Sequence, residues 1–99
     1  MELDIFNISY DKPFREHNRK ITLTQVGNSV RDTELIDKME ATSRHNYWHV
    51  ESECGFEGEL MGRDIKVLLK NYTGREPKNV KLILENVEAD NFYRISVGY

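Results

Sequence analysis

The chain has 99 residues, a net charge of −3 and a single cysteine, with 38% hydrophobic and 31% charged residues. That length allows one domain with one core. The aromatic and aliphatic content argues against disorder, and the charge excludes a global basic field for nucleic acid or membrane. Cys54 has no partner for an intramolecular disulfide. No apolar run approaches the roughly 18–20 residues of a membrane span, and no basic-then-apolar leader opens the chain. The expectation is a cytoplasmic domain, in the host cell if the chain is viral. Asn7-Ile-Ser9 and Asn71-Tyr-Thr73 match the glycosylation sequon and read as chance in such a compartment.

In chain order, Glu2–Tyr10 is strand-like. Leu3 and Ile5 share one side, and Phe6, Ile8 and Tyr10 the other, a phase change that fits a bulge near Ile5–Phe6. Asp11–Arg19 is polar, contains Pro13 and reads as a loop. Lys20–Val26, rich in Thr and Ile, is a second strand, stopped by Gly27-Asn28. Ser29–Arg44 is a helix: Leu35, Ile36 and Met39 cluster at helical spacing. Glu34 precedes Lys38 by four residues, as Glu40 does Arg44, the favourable order for helical ion pairs. Ser29 or Asp32 is suited to cap it.

Tyr47–Leu60 alternates with a period of two. Trp48, Val50, Ser52, Cys54, Phe56, Gly58 and Leu60 fall on one side; Tyr47, His49, Glu51, Glu53, Gly55, Glu57 and Glu59 on the other. Alternation means opposite faces of a strand. The preferred reading is one bent strand with Trp48, Val50, Cys54 and Phe56 in the core. A hairpin turning at Cys54-Gly55 is the rival. Gly62–Gly74 is the clearest helix, with Ile65, Leu68, Leu69 and Tyr72 in one stripe. Asn79–Glu88, with Val80, Leu82 and Leu84 in phase, and Phe92–Tyr99 read as a closing hairpin. The order β-β-α-β-α-β-β predicts one α+β domain: a mainly antiparallel sheet of about five strands with two helices on a face.

Four chemistries are conceivable. His49, Glu51 and Glu53 at two-residue steps could converge on a cation suited to imidazole and carboxylate, such as zinc, iron or manganese, giving a metal-dependent hydrolase. Solvated glutamates are the plainer reading, and no metal or other cofactor is expected. Cys54 could be a nucleophile, but a thiol in phase with Trp48 and Phe56 is expected to be buried and inert. Lys12, Arg15 and Arg19 of the first loop, with Arg63, Lys66 and Lys70 on one helix face, could neutralise phosphates. Finally, Tyr47, His49, Glu51, Glu53, Glu57 and Glu59 could form an acidic face that steers toward a basic or nucleic-acid-binding protein. The low-charge terminal strand, if at a sheet edge, could pair with a second copy.

No catalytic motif emerges. The leading expectation is a non-catalytic protein-binding module, a small regulatory or inhibitory protein. Inhibitors by which phages and mobile elements blunt host defence, such as anti-CRISPR proteins, and immunity-type proteins share this profile.

Overall fold

A computed structural model describes residues 1–12, 20–46 and 48–98, with the side chains of residues 45 and 46 outside the description. The elements run β1 (Glu2–Tyr10), β2 (Ile21–Gln25), α1 (Thr33–Asn46), β3 (His49–Ser52), β4 (Gly55–Met61), α2 (Gly62–Lys70), α3 (Pro77–Asn86) and β5 (Phe92–Gly98). The five strands form one antiparallel sheet in the order β2-β1-β5-β4-β3. The α+β architecture is as expected, with one more helix. The loop Asp11–Arg19 lies largely outside the described residues, as do Tyr47 and Tyr99.

One sheet face supplies Leu3 and Ile5 from β1, Phe56 and Leu60 from β4, and Tyr93, Ile95 and Val97 from β5. Helical side chains close over them: Leu35, Ile36 and Met39 of α1, Ile65 and Leu69 of α2, Val80 and Ile83 of α3. The alternation in β1 keeps its register across Ile5 and Phe6, which pair with Ile95 and Arg94. There is no bulge; Leu3 and Ile5 face the helices, while Phe6 and Ile8 face away.

Helix ends are met by local donors and acceptors. Asp32, not Ser29, caps α1, accepting the Leu35 N–H at 3.3 Å. The two expected ion pairs form on α1, Lys38–Glu34 at 3.5 Å and Arg44–Glu40 at 2.6 Å. α2 follows β4 without a loop, and its first N–H groups are taken by the carbonyls of Asn91 and Ala89. It stops at Lys70, short of Gly74.

The expected closing hairpin of Asn79–Glu88 and Phe92–Tyr99 does not form. Asn79–Glu88 lies mostly in a helix, α3. Pro77 occupies its first turn, where a missing N–H costs nothing. Val80, Ile83 and Val87 are its buried side chains and the segment just beyond it, at i, i+3 and i+7. That spacing competes with the period-two reading of Val80, Leu82 and Leu84 and prevails because Ile83 has a core to enter. β5 therefore returns alone to the middle of the sheet, between β1 and β4, and cannot serve as an edge. The edges are β2 and β3.

Tyr47–Leu60 is a hairpin and not a bent strand. Ser52 pairs with Gly55 across Glu53-Cys54, and His49 pairs with Gly58. Gly55 has φ 143°, a backbone conformation that side chains avoid. A Cβ there would also meet the Val97 carbonyl. A two-residue turn swaps parity: odd-numbered residues of β3 share a face with even-numbered residues of β4. Trp48 and Val50 thus join Glu57 and Glu59 on the face away from the helices, and are 43% and 48% exposed. Cys54 is exposed at the turn. Of the predicted inner face, Phe56, Gly58 and Leu60 are buried.

Candidate functional site

The face of the sheet turned away from the helices can be read row by row from the register. One row runs Gln25, Phe6, Arg94 and Glu59, and Trp48 extends it, its carbonyl accepting the Glu59 N–H at 3.0 Å. The next pairs Leu23 with Ile8 and Met61 with Phe92, and Tyr10 with Ile21 lies beyond. On the other side of the first row, Asp4 faces Ser96, Ser96 faces Glu57, and Glu57 faces Val50. Every described side chain on this face is at least partly exposed.

A sheet with one solvated face normally alternates apolar-in and polar-out. Here Ile21, Leu23, Trp48 and Val50 break that rule, and Leu23 is 40% exposed. The polar groups on the same face are largely committed. Arg94 binds Glu59 at 3.1 Å and lies 4.9 Å over the Trp48 ring. Asp4 accepts hydrogen bonds from Gln25 at 2.9 Å and from Ser29. Glu57 is exposed, with no ion pair among the described residues.

The expected acidic face is therefore divided. Glu57 and Glu59 belong to this open face, Glu53 sits exposed in the turn, and His49 and Glu51 share the helix-side face of β3. Tyr47 lies outside the described residues. Trp48, Val50, Leu23 and Ile21 belong to the open surface without having been singled out for it. Their exposure follows from the parity swap and from the edge position of β2, neither of which a period-two pattern reports.

A second cluster forms where the end of α1 meets β3. Glu40, Ser43 and Arg44 stand at i, i+3 and i+4 on α1 and approach His49 and Glu51. Arg44 pairs with both Glu40 and Glu51. Ser43 is fully buried because Gly58 offers no side chain opposite; a Cβ there would lie 2.8 Å from Ser43 Oγ. His49 stacks on Phe56, with ring centroids 5.1 Å apart. Burial, and then the nearby Arg44 charge, hold the His49 imidazole below its usual pKa. Ligand atoms of Glu40, His49 and Glu51 lie within 4.8 Å of one another. Glu53 is not part of this group; Glu40 takes its place, a helix-to-strand contact that spacing along the chain does not report. Ser43 and His49 do not make a nucleophilic pair, since the hydroxyl has no access to solvent.

The basic residues are scattered. Arg63 pairs with Asp90 at 3.2 Å, Lys66 is partly buried, and Lys70 and Lys12 are exposed. Arg15 and Arg19 lie outside the described residues. A cleft of about 300 Å³, lined in part by Leu35, Lys38, Leu68 and Tyr72, separates α1 from α2. Of the two carboxylates that line it, Asp32 accepts the Tyr72 hydroxyl and Glu34 pairs with Lys38. No helix among the described residues is long and apolar enough to cross a membrane. No family model, curated protein or solved structure matches the chain.

Proposed function

We propose that the chain is a non-catalytic protein-binding module that docks its partner on the open face of the sheet. The observation that supports this reading is the set Ile21, Leu23, Trp48 and Val50, large apolar side chains left substantially exposed on a sheet whose other face carries the core on β1, β4 and β5. Large apolar side chains left exposed mark interaction surfaces; here they line the two edges of the face, Ile21 and Leu23 on β2 and Trp48 and Val50 at β3, with Arg94 and Glu59 between them. Aromatic side chains such as Trp48 are the usual anchors. Glu57, with Glu53 at the adjoining turn, favours a partner with basic groups beside its contact with Trp48 and Val50. The class is that of small regulatory or inhibitory proteins acting in the cytoplasm, including those of phages and mobile elements.

The test is affinity capture from the source cell with the unaltered chain, with Leu23→Lys and Val50→Lys, and with Val67→Lys on exposed α2 as control. A partner held by the unaltered and control chains but lost by both face variants supports the reading. A partner retained by all four chains overturns it. Glu57→Lys should weaken the same capture most at low salt, because screening removes steering.

A further inference from the structure

The cluster between α1 and β3 contains an imidazole nitrogen whose position its protein neighbours do not explain. Ser43 Oγ lies 3.1 Å from the Glu40 carbonyl oxygen, which can only accept, and 2.8 Å from His49 Nδ1. A hydroxyl has one hydrogen to give. With that hydrogen on the carbonyl, Nδ1 must carry its own hydrogen and donate it to Ser43. The neutral ring then presents a lone pair at Nε2. Among the described residues that atom is buried without a hydrogen-bond partner, on a side chain only 9% exposed. A Glu40 carboxylate oxygen lies within 4.8 Å of a His49 ring nitrogen, and Glu51 Oε1 is 3.6 Å from Nε2.

This distance is too long for a hydrogen bond. Two ligands bound at about 2.1 Å to a tetrahedral ion stand about 3.4 Å apart, a separation that ligand atoms lying within 4.8 Å of one another can reach. A histidine that gives Nδ1–H to a hydroxyl and offers Nε2 outward is arranged as metal-bound histidines are. Arg44 neutralises both carboxylates, yet it leaves Nε2 unmet. Its side chain is half exposed.

We propose that Glu40, His49 and Glu51 form a site for a first-row divalent metal ion of the zinc class, with Arg44 as a tethered cation that the metal displaces. One imidazole and two carboxylates suit such an ion and leave a coordination position open toward solvent. The site is independent of the open sheet face, so either proposal can fail without the other.

The experiment is calorimetric titration of the tag-free, chelator-treated chain with zinc chloride. One ion should bind per chain. Glu51→Gln, at an exposed position, should weaken binding by at least about tenfold, the least that disturbing a coordination shell costs. Arg44→Gln should tighten it, and Cys54→Ser should leave it unchanged. The His49 Nε2 resonance should shift on zinc addition in a long-range proton–nitrogen spectrum. No binding by the unaltered chain overturns the proposal, as does binding indifferent to Glu51→Gln, binding lost with Cys54→Ser, or a His49 resonance that does not move. An Arg44→Gln chain that binds no tighter overturns the part given to Arg44.

Discussion

Arg94 on β5 holds Glu59 on β4 at 3.1 Å while its guanidinium lies over the ring of Trp48, 4.9 Å from the centroid. One side chain thus joins β5, β4 and the residue that leads into β3, on the face that no helix covers. The pair is 19% and 25% exposed, sheltered enough that removing one partner strands the other. Arg94→Gln is expected to cost about 1–2 kcal/mol, between the values for exposed and buried pairs. Urea unfolding measures this directly. Trp48 is the only tryptophan, so the native fluorescence spectrum should change with the same substitution.

Tyr72 ties the loop after α2 to the start of α1. Its hydroxyl donates to Asp32 and accepts the Glu76 N–H at 3.1 Å. The Tyr72 hydrogen bond holds the Asp32 carboxyl below its usual value of 3.8. Burial, then Asp32, raises the Tyr72 phenol above 10.0. Asp32 therefore adds stability that is complete above pH 3.8 and is lost as pH falls through its depressed pKa. Tyr72 adds stability that is complete below pH 10.0 and is lost as pH rises through its raised pKa. Tyr72→Phe should flatten both limbs of a melting-temperature profile. At neutral pH it should cost about 1–2 kcal/mol, because the Glu76 N–H loses its acceptor.

Gly55→Ala should destabilise the chain by about 2 kcal/mol or more, since it combines an unfavourable φ with a collision at the Val97 carbonyl. Gly98→Ala is the matched control, because nothing lies within 4 Å of a Cβ there. Thermal melts of the two variants should differ in that order, and equal melting temperatures would contradict the hairpin geometry.

Cys54 is exposed at the β3–β4 turn. In the native state it should react stoichiometrically with an aromatic disulfide reagent, with no acceleration on adding urea. A thiol that reacts only after unfolding would restore the buried position expected from its phase with Trp48 and Phe56.

Much of the fold was legible where one periodicity dominated. Ile65, Leu68 and Leu69 gave α2, and the Glu34–Lys38 and Glu40–Arg44 spacings gave the ion pairs of α1. The α+β class followed from the mixture of periods. α3 was hidden because Val80, Leu82, Ile83 and Leu84 satisfy two periods at once, and only Pro77 at the start separated them. The core assignment of Trp48 and Val50 failed for a different reason. Alternation along a chain survives a two-residue turn unchanged, while the faces it refers to exchange. The charge of Glu57 marks it as a surface residue, whereas nothing local marks its apolar neighbour Val50 as one. Glu40 could not be joined to His49, because helix-to-strand contacts leave no mark in local spacing.

β5 lies between β1 and β4, although it is the last of the five strands to be synthesised. Until it emerges from the ribosome, β1–β2 and β3–β4 are separate hairpins with no strand to join them. Each would expose an edge that later becomes internal, and Leu3, Ile5, Phe56 and Leu60 would lack the strand that completes their layer. Assembly therefore waits on the final segment. Ribosome-bound chains arrested before Phe92 should remain protease-sensitive, and those extended past Gly98, far enough to clear the exit tunnel, should become resistant in one step.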